Sequence, residues 1–172
     1  MLEKPPTCAE CPAFKIGKGF VPGEGSLDAR LVLVGQGPGE NEVATGRPFM
    51  PGYAASGQGV PVPGQAGRLL KEWMAQAELR RDEVWVDNVV RCGLPKNRKP
   101  TLREVQYCTT HHLFPALARL THGREPLGLV IVPVGVPAFE VFYGKGAGEE
   151  YAGSLAVWKG VEIELDTTQG TS

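Results

Sequence analysis

Three short apolar runs constrain this chain more than any other feature: "LVLV" at Leu31–Val34, "EVWVDNVV" at Glu83–Val90 and "LGLVIVPVG" at Leu127–Gly135. Each is rich in valine or leucine and bounded by turn residues, as buried strands are. Helical patterns separate them. "AGRLLKEWMAQAEL" places Ala66, Leu69, Leu70, Trp73, Met74 and Ala77 on one face at helical spacing, which predicts a core-facing helix. "TLRE" at Thr101–Glu104 is a capping box, in which Thr101 and Glu104 satisfy each other's backbone N–H groups, and it opens a helix to about Leu120. Pro137 suits the first turn of a helix through Phe142, and the glycine-rich "GKGAGEEYAG" after it reads as a surface loop. The order is βαβαβα. It predicts a mainly parallel sheet covered by helices, with ligands at the carboxyl ends of the strands.

At 172 residues, 42% hydrophobic and without a charge block, the chain has the size of one globular domain, residues 1–172. A net charge of −1 argues against a strongly basic nucleic-acid binder but leaves room for a local basic groove. No segment approaches the ~18 apolar residues of a membrane span, and Met1–Lys18 is polar and proline-containing, unlike a secretory signal. A cytoplasmic protein with no membrane association is expected.

The first apolar run ends in "GQGPGENEVATGRPF", Gly35–Phe49. Glycines at a strand exit allow a tight turn and bring backbone N–H groups close to a ligand. Two nucleotide-binding readings fail. A P-loop closes with Gly-Lys-Ser/Thr, so that lysine reaches the phosphates, and that triplet is absent. The dinucleotide fingerprint is Gly-x-Gly-x-x-Gly, whereas Gly35, Gly37 and Gly39 alternate and Pro38 interrupts the turn. A tight βα turn with no ligand remains open on this stretch alone.

The four cysteines add a second signal. Cys8 and Cys11 form a CxxC near the start, and Cys92 and Cys108 follow far along the chain. In a reducing compartment four thiols with a leading CxxC point to metal ligation before disulfides. A zinc ribbon supplies two CxxC knuckles, and Cys92 and Cys108 do not make one, so an iron–sulfur cubane competes with zinc. Unrelated buried cysteines are the third possibility.

Taken together, "CAEC", "GQGPGENEVATGRPF", "GQAGRLLKEWM" and "VWVDNVVRCGLPKNRKPTLREVQYC" resemble the family 4, iron–sulfur uracil-DNA glycosylases from Cys8 to about Gly144. The resemblance implies a three-layer α/β/α fold and a monomer that excises uracil from DNA in base excision repair. It implies a 4Fe-4S cluster on Cys8, Cys11, Cys92 and Cys108. Phe49 of "GRPF" matches the phenylalanine that stacks on a flipped-out uracil, although a core phenylalanine fits the same pattern. Asn88 matches the specificity asparagine, whose amide can donate to uracil O4 and accept from N3–H, a pattern cytosine reverses. Gly37 would let backbone N–H groups approach uracil O2, where charge collects as the glycosidic bond breaks. Arg91, Lys96, Arg98 and Lys99 form a candidate patch for DNA phosphates, or a merely solvated loop.

Three departures qualify the expected activity. Gln36 stands where the family carries glutamate and cannot take a proton, which leaves Glu42 to order a water or counter the oxocarbenium ion, or simply to sit in a solvated helix turn. The family's C-terminal histidine–proline motif is not found before Ser172, so the chain is expected to be a fragment of a longer product or a domain lacking that piece. His111, His112 and His122 lie on or just past the third helical pattern and are expected to be solvated or structural. Finally, "MPGYAASGQGVPVP", Met50–Pro63, is an insertion that could line the DNA groove through Tyr53 or be a tolerated surface loop. The alternative function is a catalytically weak uracil- or DNA-binding module.

Overall fold

A computed structural model describes residues 1–50, 65–122 and 128–144. Tyr53, most of the Met50–Pro63 insertion and the "GKGAGEEYAG" loop beyond Gly144 lie outside the described residues. The described strands are β1 (Glu24–Gly25), β2 (Leu31–Gly35), β3 (Val84–Asn88) and β4 (Val130–Pro133), in the spatial order β1-β3-β2-β4. β2 runs parallel to both β3 and β4, and β1 pairs antiparallel with β3. The mainly parallel sheet read from the sequence is present. β1, only two residues long, carries no sequence signal of its own.

Helices cover both faces. α1 (Glu40–Thr45) follows the glycine turn, α2 (Gln65–Gln76) precedes β3, and α3 (Leu102–Cys108) and α4 (Phe114–Thr121) are joined by a π-helical turn at Thr109–Leu113. α5 (Val136–Tyr143) follows β4 with a proline in its first turn. The π turn has a local cause. Pro115 has no N–H for the His111 carbonyl four residues back, and its ring crowds that carbonyl, so the helix widens there. The expected capping box starts α3: Thr101 N–H donates to Glu104 Oε2 at 2.7 Å, and Glu104 N–H donates to Thr101 Oγ1 at 3.3 Å.

Strand alternation sorts the core into two faces. Val32, Val34 and Trp85 face Leu113, Leu117 and Leu120 of the α3–α4 run and Ala138 of α5. Leu33, Val84 and Val86 face Leu70 and Met74 of α2, and Phe49. This is the α/β/α arrangement. The α2 face is narrower than its periodicity predicts. Leu70 and Met74 are buried, whereas Leu69 and Trp73 are 39% and 52% exposed and Ala66 and Ala77 are also exposed. α2 touches the sheet through one i, i+4 stripe, so residues a quarter-turn away never reach it. A third cluster of Ala13, Val90, Cys92, Leu94 and Cys108 ties the N-terminal arm to the loop after β3.

Candidate functional site

β2 and β3 end side by side, with Gly35 in register with Asn88. The ladder continues one step into the loops, Val89 N–H donating to the Gly35 carbonyl at 2.9 Å and Val90 N–H to the Gln36 carbonyl at 3.2 Å. Above Gly35 two side chains converge. A Cβ on that residue would stand 2.5 Å from Asn88 Oδ1 and 2.5 Å from Phe49 Cζ, so the amide and the ring lie within about 5 Å of each other. Only glycine leaves room for both. Gly37 packs as tightly, since a Cβ there would come within 2.7 Å of Val90 Cγ2.

Asn88 is 2% exposed, and its side-chain Nδ2 has no hydrogen-bond partner. Leaving a buried amide donor unpaired costs about 1–3 kcal/mol, so such atoms are rare unless something binds them. Phe49 is buried with φ at 53°, a left-handed backbone that a bulky residue adopts only when its surroundings hold it. Glu42 supplies the hold. One carboxylate oxygen accepts from Phe49 N–H and the other accepts from Gly39 N–H at 2.6 Å. Burial pushes the Glu42 carboxyl above the ordinary glutamate range, against the pull of those two N–H groups. Glu42 is therefore neither a solvated turn residue nor a free carboxylate; it braces the glycine loop and aims Phe49. Gln36 is half-buried beside Gly37 at the loop's start.

The expected basic patch is redistributed. Arg91 is 7% exposed and forms a bidentate pair with Asp87, so its guanidinium does not reach a DNA phosphate, which corrects the sequence reading. Arg98 forks onto both Glu104 oxygens at 2.9 and 2.6 Å, and Lys99 lies 3.7 Å from Glu140. Lys96 is exposed and makes no ion pair with a described residue; it lines the cleft that also contains Gly37, Gly39, Glu42 and Met50. Lys18 lines the same cleft, brought there by a backbone bridge to Gly93. The sequence offered no sign of Lys18, because nothing local joins it to a loop so far along the chain.

A second site lies behind the loop after β3. Cys8, Cys11, Cys92 and Cys108 line one cavity together with Phe14 and Phe20. All four are free thiols. Burial pushes Cys92 up to about 11 and Cys108 up to about 12, and raises Cys8 as well. Among the described residues no three such side chains stand close enough to hold a single metal ion. The Arg91 backbone N–H donates to Cys108 Sγ at 3.3 Å, and His112 Nε2 lies 3.1 Å from Cys8 Sγ. His112 is buried against the edge of the Phe20 ring, and desolvation, then Arg91 and His111, hold it down at about 4, so its imidazole is neutral at neutral pH. His111 and His122 are exposed.

A doubly covered parallel sheet, an aromatic ring and an unpartnered amide at adjoining strand ends, and a cage of four thiols beside them define a class, and the family comparison agrees with it. The uracil DNA glycosylase superfamily model matches residues 22–164, and the chain belongs to that superfamily. Its relatives place it more narrowly, among the type-4 uracil-DNA glycosylases. The chain is 32% identical to the type-4 uracil-DNA glycosylase of Pyrobaculum aerophilum over 169 residues, covering 94% of this chain and 76% of that one. Against the Sulfurisphaera tokodaii type-4 enzyme it is 32% identical over 166 residues, 92% of this chain and 66% of the relative. Against that of Thermotoga maritima it is 42% identical over 106 residues, 62% of this chain, and the match spans about half (48%) of the relative's length.

Proposed function

We propose that this chain acts as a uracil-DNA glycosylase, hydrolysing the N-glycosidic bond of a deoxyuridine flipped out of DNA. The observation that carries the reading is the Asn88 Nδ2, buried and unpartnered within about 5 Å of the Phe49 ring. Uracil stacked on Phe49 would present O4 to that donor and N3–H to Asn88 Oδ1, whereas cytosine offers a donor and an acceptor in the reverse order. Backbone N–H groups near Gly37 would face O2 and steady the departing uracil anion. Lys96 and Lys18 border the cleft and supply the cations for DNA phosphates, a patch smaller than the sequence suggests.

The cysteine cage supports a 4Fe-4S cluster as cofactor. Tetrahedral zinc at about 2.3 Å per bond draws its sulfurs to within about 4 Å of one another, whereas a cubane's four irons hold the thiolates farther apart. Four free cysteines lining one cavity supply the four thiolates that such a cluster takes. Lys4 and Arg91 place positive charge near the thiols, which suits an anionic cluster. Bound there, the cluster would cross-link the N-terminal arm to the loop after β3. No helix among the described residues is long and apolar enough to cross a membrane.

A second reading, a uracil-binding module with weak catalysis, draws on one observation: Gln36 is neutral, and both Glu42 oxygens are engaged by backbone N–H groups. The experiment that separates the two incubates the protein with a single-stranded oligonucleotide carrying one uracil and then cleaves abasic sites with alkali. Strand breaks within minutes support the glycosylase. Binding without breaks over hours leaves the binding module, and neither outcome with uracil overturns both.

A further inference from the structure

Asp87 is fully buried in a strand that is otherwise apolar up to its last residue, and neither base recognition nor the thiol cage accounts for it. Its Oδ1 accepts from the Asn88 backbone N–H at 2.8 Å and from Arg91 Nε at 3.0 Å. Its Oδ2 accepts from Arg91 Nη2 at 2.5 Å and from the Trp85 indole N–H at 3.4 Å. Gly23 roofs the carboxylate so closely that a Cβ there would lie 2.2 Å from Oδ2. From Arg91 the contacts run on to the cage: Nη2 donates to the His112 carbonyl at 3.2 Å, the backbone N–H donates to Cys108 Sγ at 3.3 Å, and the His112 ring meets Cys8 Sγ at 3.1 Å. An unbroken buried polar chain thus joins Asn88 to two of the four cysteines.

Stability alone does not explain the pair, because well-packed apolar residues often serve as well in its place. A bidentate carboxylate–guanidinium fork fixes direction, which an apolar contact does not. We propose that Asp87 and Arg91 are positioning residues that fix the Asn88 backbone, and through it the side-chain amide, in register with the cysteine cage, so that the base pocket and the cluster are mechanically and electrostatically linked. The inference rests on Asn88 being the uracil-reading residue.

The test uses the full chain carrying its cluster. The double variant Asp87→Leu/Arg91→Met removes the fork and keeps the volume apolar. It is expected to retain the parent's iron content and melting temperature yet lose about tenfold of its preference for a uracil-bearing over a cytosine-bearing single strand, within the range of one misplaced hydrogen-bonding group. Asp87→Asn, nearly isosteric, leaves the Arg91 charge uncompensated near the thiols. It is expected to move the cluster's midpoint potential upward, since added positive charge favours the more negative, reduced cluster. A double variant with full uracil preference makes the pair merely structural and overturns the proposal. So does an unchanged potential in Asp87→Asn, including the case in which the double variant fails to fold. A parent protein that does not distinguish uracil from cytosine refutes the base-pocket reading instead, and the potential of Asp87→Asn still decides whether the fork reaches the cage.

Discussion

Replacing Glu104 with glutamine perturbs a residue that holds α3, Cys108 and Arg98 in place at once. Its carboxylate accepts from Thr101 N–H at 2.7 Å and from the two Arg98 nitrogens at 2.9 and 2.6 Å. The Arg98 fork is the main reason its carboxyl falls from the ordinary 4.5 to about 2, against desolvation. A displacement of that size corresponds to about 3 kcal/mol favouring the charged, folded form. The Arg98 side chain is 35% exposed, so solvent screening brings the expected contribution down to about 1–2 kcal/mol. Because the folded value lies below the unfolded one, this stabilisation is complete above the unfolded value and is lost as pH falls from 4.5 toward 2. Glu104→Gln should therefore lower the urea midpoint at pH 7 by an amount equivalent to about 1–2 kcal/mol, and the gap to the parent should narrow by pH 4. The same change weakens the hold on the partly exposed Arg98 guanidinium and frees it for a phosphate. On single-stranded DNA the salt dependence of binding should steepen by about 0.7 in log–log slope, the contribution of one added phosphate contact. Equal midpoints at pH 7, a gap that widens on acidification, or an unchanged salt slope would refute the reasoning.

Phe49→Leu keeps an apolar group against Leu33, Leu70 and Met74 but removes the stacking face, so melting temperature should hold while binding of a uracil-bearing strand weakens about 10–100-fold by fluorescence anisotropy. Cys92→Ala removes one of the four cage thiols and should yield colourless, poorly soluble protein with little iron by elemental analysis; brown protein with full iron would count against the cage. Gln36→Glu should raise uracil release by less than the ~100–1,000-fold that a full electrostatic stabiliser supplies, measured as single-turnover strand breaks, because Glu42 remains tied to the loop backbone.

Much of the fold was legible because three apolar runs and a capping box each have one physical outcome. β3, β4 and the start of α3 lie within the segments that predict them, and β2 runs one residue past its apolar run, to Gly35. What the sequence hid was tertiary. The α2 periodicity promised a broad apolar face, but only Leu70 and Met74 reach the sheet. Arg91 looked like a surface cation beside Lys96, yet an acidic residue inside "VWVDNVV" needs a buried partner, and Asp87 takes the nearest cation in sequence. That clue was readable and points to Arg91 directly. His112 was not readable in this way: its approach to Cys8 depends on the π turn that Pro115 induces, which turns the helix by an amount no periodicity records. Glu42 and Phe49 were both expected near the pocket, but the hydrogen bond by which one holds the other's left-handed backbone exists only in the folded loop.

The most direct measurement compares the affinities of two single strands, identical except for one uracil or one cytosine, for the parent protein and for Asn88→Ala under conditions too brief for excision. Pairing the unpartnered Asn88 Nδ2 should favour uracil by about tenfold or more in the parent. Asn88→Ala should abolish that preference with stability held to within about 1 kcal/mol, since the substitution removes an unsatisfied donor as well as packing. Equal affinities for the two strands in the parent, or a uracil preference that survives in Asn88→Ala, would contradict the account.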